Sequence, residues 1–151
     1  MKKNIVIAAM LMLLGFTSAL AAGPTRVNDN VRHSFKKEFS KGEFIKMEAF
    51  SAYSKVTFKV NGEIMFAYYT GNGELLAVAK NILSDKLPVH LASSMKKHYS
   101  GFWISDLFEI RSNGEVSYYV TLENADYKVV LKSADSDRWE VYSNIHKDVE
   151  N

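Results

Sequence analysis

The sequence predicts an α+β fold in which a unit of one helix plus a four-stranded antiparallel sheet is used in tandem, with both helices packed on one sheet face. Three observations carry this. Residues 34–40, SFKKEFS, return as residues 94–100, SMKKHYS, an offset of 60 (94 − 34). Each copy is followed by Asn-Gly-Glu, at 61–63 and 113–115, between runs rich in β-branched and aromatic residues. Asn-Gly in that setting is a strong hairpin signal, because both residues accept the positive φ of a tight turn. Within the runs the apolar residues alternate, as in Val56, Phe58 and Val60 against Lys55, Thr57 and Lys59, which is the period of a half-buried strand.

The elements follow in order. Helix one is expected from about Asn28 to Phe39, capped by Asn28 or Asp29, with Val31, Phe35 and Phe39 recurring every four residues. Lys36, Lys37 and Lys41 crowd its C-terminal end, where the helix dipole favours positive charge. Four strands are expected at about 43–50, 53–60, 63–70 and 74–83. Helix two is expected from Pro88, an acceptable first helical residue, to Tyr99, with Val89, Ala92, Met95 and Tyr99 as its apolar face. Four more strands are expected at about 102–111, 115–123, 127–133 and 138–146. Aligning the two Asn-Gly-Glu hairpins sets the faces. Ile64, Phe66 and Tyr68 match Val116, Tyr118 and Val120 and are expected toward the helices. Met65, Ala67 and Tyr69 match Ser117, Tyr119 and Thr121 and are expected on the opposite face.

The ends frame this core. Lys2 and Lys3, the apolar run from Ile5 to Phe16 and Ala19-Leu20-Ala21 read as a signal peptide over 1–21, cut after Ala21. The run is shorter than the roughly 20 residues that span a bilayer, so no stable membrane insertion is expected after cleavage. Residues 22–27 read as a flexible lead-in, 28–87 and 88–147 as the two units, and 148–151 as a tail. Removing Lys2 and Lys3 takes Lys+Arg from 19 to 17, against 17 Asp+Glu, so the mature chain is formally neutral. A phosphate-backbone binder needs a clustered positive face, so no nucleic-acid partner is expected. The chain has no Cys, which excludes a disulfide-stapled scaffold.

Catalytic signatures are missing. No Cys nucleophile, GxSxG elbow or HExxH pair is present, and His33, His90, His98 and His146 are scattered. Gly71-Asn72-Gly73 leads into a strand rather than a helix, which removes the phosphate-cradle reading. Asp135-Ser136-Asp137 lacks the Gly and late Glu of a calcium loop. The expectation is a non-enzyme with no cofactor and no metal. The aromatic residues are the strongest remaining signal: without Phe16 there are eight Phe, eight Tyr and two Trp. Strand parity assigns Tyr53, Met65, Tyr69, Trp103, Tyr119 and Tyr142 to the face away from the helices, interleaved with Lys55, Lys59, Lys128 and Lys132. Tyr, Trp and Met are enriched at protein interfaces, so these six are the expected partner-binding residues.

The order of elements, Leu87-Pro88 at the start of helix two, the stretches SDLFEI (105–110) and SYYVTLE (117–123) and the late Trp139 together resemble an exported bacterial family, the beta-lactamase-inhibitor-like, PepSY-like proteins. The resemblance covers about residues 28–147. It implies a tandem helix-plus-four-strand fold and an exported, non-enzymatic protein without an agreed ligand. The fold's namesake inhibits an enzyme through an aromatic-rich concave sheet, and its disulfides have no counterpart here. The expected function is recognition of a protein or peptide in the periplasm or outside the cell, inhibition of a secreted or envelope hydrolase being one form of it. The alternative is a structural or envelope-associated module that self-assembles through the sheet face or a sheet edge.

Overall fold

The computed structural model describes residues 28–133 and 138–147. The expected signal peptide, lead-in, Asp135-Ser136-Asp137 turn and tail lie outside the described residues. The fold is α+β, with two α-helices and eight antiparallel strands among the described residues. The chain divides into two compact units, residues 1–78 and 79–151.

In the first unit, helix α1 (Asp29–Glu38) starts at Asn28, whose side-chain oxygen accepts from the backbone N–H of Asn30 and Val31. This satisfies donors that a helix start leaves unpaired. Its buried residues, Val31 and Phe35, are one turn apart. Strands β1 (Glu43–Ala49), β2 (Ser54–Val60), β3 (Glu63–Tyr69) and β4 (Leu75–Asn81) follow in sequence order, β4 running past the unit boundary. Between β2 and β3, Asn61 (φ 51°) and Gly62 (φ 87°) make a two-residue turn that pairs Val60 with Glu63. Val56, Phe58, Ala67 and Tyr69 pack with Val31 and Phe35, and Phe39, Met47, Val60, Met65 and Leu75 surround them. Gly73 (φ 84°) lies so close to helix α1 that a Cβ would stand 2.8 Å from the Asn30 carbonyl, so this turn tolerates only glycine.

This register corrects one expectation. Pairing Val60 with Glu63 places Phe58 opposite Met65 and Val56 opposite Ala67. Directly opposed residues share a face, so Met65, Ala67 and Tyr69 follow Val56 and Phe58 onto the helix side. Ile64, Phe66 and Tyr68 lie on the other side, the reverse of the expected assignment.

In the second unit, a 3-10 turn at Ser84–Lys86 precedes helix α2 (Val89–His98), and strands β5 (Trp103–Ser112), β6 (Glu115–Glu123), β7 (Tyr127–Ser133) and β8 (Trp139–His146) follow in order. The apolar face of α2 is Leu91, Ala92 and Met95, while Val89, expected there, is 77% exposed. Leu107, Val120, Leu122, Val129 and Leu131 form the core with Leu87, and Tyr118 and Trp139 pack on it. The Trp139 indole N–H donates to the Leu91 carbonyl at 2.9 Å, tying β8 to the helix. Here the expected parity of β6 holds: Tyr118, Val120 and Leu122 pack in the core cluster. The reason the two units differ is that the Asn-Gly-Glu hairpins are not equivalent. The first joins β2 to β3, whereas the second, Asn113-Gly114, joins β5 to β6, the first two strands of its unit.

Candidate functional site

On the first unit, the sheet face away from α1 carries Tyr53, Lys55, Thr57, Lys59, Ile64, Phe66 and Tyr68, placed by the register of β2 and β3. Its centre is dry. Tyr53 and Tyr68 are buried, with ring centroids 5.8 Å apart, and Phe50 lies 4.8 Å from Tyr53. Burial, with Glu48 adding to it, pushes the Tyr53 hydroxyl up to about 12. Burial also raises Tyr68 and lowers Lys55, whose ammonium stands 4.6 Å from the Phe66 ring centre. The Thr57 hydroxyl is buried with no hydrogen-bond partner among the described residues. The rim is wetter: Lys46 and Glu48 pair at 3.2 Å, and Ile64 and Lys59 are exposed.

Two of the expected partner-binding residues are absent from this face. Tyr69 is fully buried against helix α1 and donates its hydroxyl to Glu38 at 3.0 Å. Burial first, then the Glu38 hydrogen bond, raises its pKa strongly. Met65 packs on the same helix-side cluster. Of the first unit's three expected residues, only Tyr53 lies on the expected side, and it is only 4% exposed.

On the second unit, the face away from α2 carries the other three. Tyr119 is 4% exposed, opposite Phe108 and Lys132 in the ladders. Its ring meets Tyr142 edge-on at 6.0 Å, and the Lys132 ammonium stands 5.9 Å from its centre. Burial raises both tyrosines, with Tyr142 adding to the shift of Tyr119. The register shift of β8 opposite Val130 and Leu131 skips Tyr142, and such a bulge re-aims a side chain; here it delivers Tyr142 onto Tyr119. Trp103 is 55% exposed.

Around Trp103 lies a charged group that strand parity did not single out. Lys147 bonds Glu123 at 2.8 Å and the Asn124 carbonyl at 2.9 Å, and its ammonium stands 5.2 Å from the Trp103 ring. Lys128 approaches Glu123 at 3.8 Å. Hydrogen bonds from Lys147 and Ser105 hold Glu123 below the usual carboxylate range. Asp106 is raised, chiefly by burial. The bulge of β5 between Ile104 and Asp106 gathers these groups. The arrangement is a surface with one large exposed aromatic beside a lysine ammonium. Among the described residues no group of three His, Cys, Asp or Glu could hold a metal, and no helix is long and apolar enough to cross a membrane.

No family model matches the chain, and no curated protein matches it. Solved structures do. A BLIP-like protein from Bacteroides fragilis is 18% identical, with a TM-score of 0.65, covering 87% of this chain and 91% of that one. A Bacteroides eggerthii protein described as periplasmic is 13% identical, with a TM-score of 0.69 and coverages of 81% and 90%. A DUF2874 family protein from Bacteroides ovatus is 16% identical, with a TM-score of 0.68 and coverages of 82% and 89%. At these identities the likeness is one of fold: the chain has the BLIP-like α+β fold.

Proposed function

We propose that the protein is an exported, non-enzymatic module that binds a protein or peptide through the sheet face away from the helices. The observation that carries the reading is Trp103. An indole more than half exposed, with a lysine ammonium over its ring, is held ready for burial by a partner, and Trp is among the residues enriched as interface anchors. Tyr142, farther along the same face, is the second anchor, backed by buried Tyr119, and Lys128, Lys132 and Lys147 supply a polar rim. The periplasmic description of one structural neighbour and the BLIP-like fold of another support export and recognition, inhibition of an envelope or secreted hydrolase being one form. The bulges in outer strands β1 and β8 weigh against assembly through a sheet edge, because bulges interrupt the ladder a new strand would join.

The test is capture from an envelope fraction by the mature protein and by a Trp103→Ala, Tyr142→Ala variant. The expected result is a partner retained by the native protein and lost by the variant, with an unchanged thermal melt. Equal retention would remove this face from consideration.

A further inference from the structure

The two units build the corner between their helix and first strand in the same way. In the first, the N–H of Phe39 donates to Phe35 and that of Gly42 to Phe39, and Phe44 pairs with Phe58 across the ladder. In the second, the N–H of Tyr99 donates to Met95 and that of Phe102 to Tyr99, and Ile104 pairs with Leu122. A ladder irregularity follows at once in both, between Phe44 and Lys46 and between Ile104 and Asp106.

The side chains in this frame differ. Phe35, Phe39, Phe44 and Phe58 cluster in the first corner, neighbouring ring centroids 4.6 to 6.0 Å apart, with Phe35 and Phe58 buried and Phe44 45% exposed at the rim. The corresponding residues of the second corner are Met95, Tyr99, Ile104 and Leu122. All four line a cavity of about 390 Å³, together with Ala92 and Phe102. That lies within the range of about 300 to 1,000 Å³ typical of small-molecule sites. The floor is apolar. The mouth carries one negative and one positive side chain, Asp85 and Lys96, with the hydroxyls of Ser84 and Ser100. Among the described residues neither Asp85 nor Lys96 is held in an ion pair.

From this we propose that the second unit binds a small zwitterion with a ring-sized apolar side chain, such as a free aromatic amino acid. The apolar group lies against Met95, Ile104 and Leu122, beside the ring pair of Tyr99 and Phe102. The ammonium meets Asp85 and the carboxylate meets Lys96. A neutral apolar molecule leaves both charges unanswered, and a simple anion leaves Asp85 unanswered.

The test is methyl NMR titration of the full mature chain with L-phenylalanine, 3-phenylpropanoate and phenethylamine. L-phenylalanine is expected to shift the methyl signals of Ala92, Met95, Ile104 and Leu122. Each singly charged analogue is expected to bind about tenfold more weakly, as for loss of a charge-assisted hydrogen bond. Asp85→Asn should weaken L-phenylalanine about as much and leave 3-phenylpropanoate unaffected. Ile104→Phe, which restores a ring of the first corner, should abolish binding. No shift at these methyls with any probe, equal binding of L-phenylalanine and 3-phenylpropanoate, no effect of Asp85→Asn, or undiminished binding by Ile104→Phe would each overturn the proposal. The Asp85 variant changes only an exposed turn, so it decides the matter even where the core variant folds poorly.

Discussion

The corner of the first unit is packed with four phenyl rings, whereas that of the second leaves a cavity open to solvent, although the backbone hydrogen bonds and ladder pairs of the two correspond. The comparison separates two layers of specification. Turns, caps and bulges fix where the backbone goes. Side-chain volume then decides whether the enclosed space becomes core or pocket. The rings of Phe35, in the helix, and Phe39, at its C-cap, reach strand residues 44 and 58 and fill the space over Phe58, with Phe44 half-exposed at the rim. In the second corner Tyr99 and Phe102 keep a ring pair, 5.7 Å apart, but Met95 is flexible and adaptable, Ile104 and Leu122 carry no ring, and a space remains between them.

The largest expected effect comes from emptying the filled corner. Phe58 is fully buried and touches Phe35 and Phe39, so Phe58→Ala should cost about 3–5 kcal/mol in denaturant unfolding. Leu122→Ala, beside an existing cavity, should fall near the low end of about 2–5 kcal/mol. Equal losses would show the corners to be packed alike.

Next in size is Tyr69→Phe, which removes only the hydroxyl bonded to Glu38 and should cost about 1 kcal/mol, with no effect on partner capture. A lost partner with intact stability would instead return Tyr69 to the binding face. The buried tyrosines also set a pH dependence. Tyr53, Tyr69 and Tyr119 have folded pKa values raised by burial, so they keep their protons in the fold after the unfolded chain has lost them. Stability should therefore be level below the unfolded value of about 10 and fall as pH rises past it. A melting temperature unchanged up to alkaline pH would contradict the burial of these hydroxyls. The smallest effect is expected of Lys147→Met. It breaks a partly exposed pair with Glu123 and should cost less than about 1 kcal/mol, while changing the fluorescence of Trp103, over whose ring the ammonium stands.

The strands, the caps and the tight turns were legible because each rests on local chemistry: Asn28 as a cap, Asn-Gly at positive φ, alternation along β2. The faces of β3 are legible too, from the local turn. A two-residue turn at Asn61-Gly62 pairs Val60 with Glu63, and counting back puts Met65 and Tyr69 beside Phe58 and Val56, on the helix side. Aligning the two Asn-Gly-Glu segments overrode that local rule by equating hairpins that join different strands. Trp103, Tyr119 and Tyr142 came out on the expected face, yet Tyr142 reaches it through a bulge in β8 that alternation does not announce. The Lys147–Glu123–Lys128 group needed residues from β6, β7 and the end of β8 to be brought together, which a linear pattern does not contain. The cavity was least legible, because empty volume belongs to no residue. The sequence holds its trace only as Phe35, Phe39 and Phe44 facing Met95, Tyr99 and Ile104 at the 60-residue offset.

The most direct measurement is a pair of denaturant melts on reciprocal exchanges at one position of the corner, Phe44→Ile and Ile104→Phe. Removing the half-exposed Phe44 ring, which meets Phe35 edge-on, should destabilise the protein modestly. Adding one to the open corner should stabilise it, on the order of 1 kcal/mol as for other cavity-filling changes. Destabilisation by both, the mark of overpacking at position 104, would mean that the second corner is already full and would contradict the account.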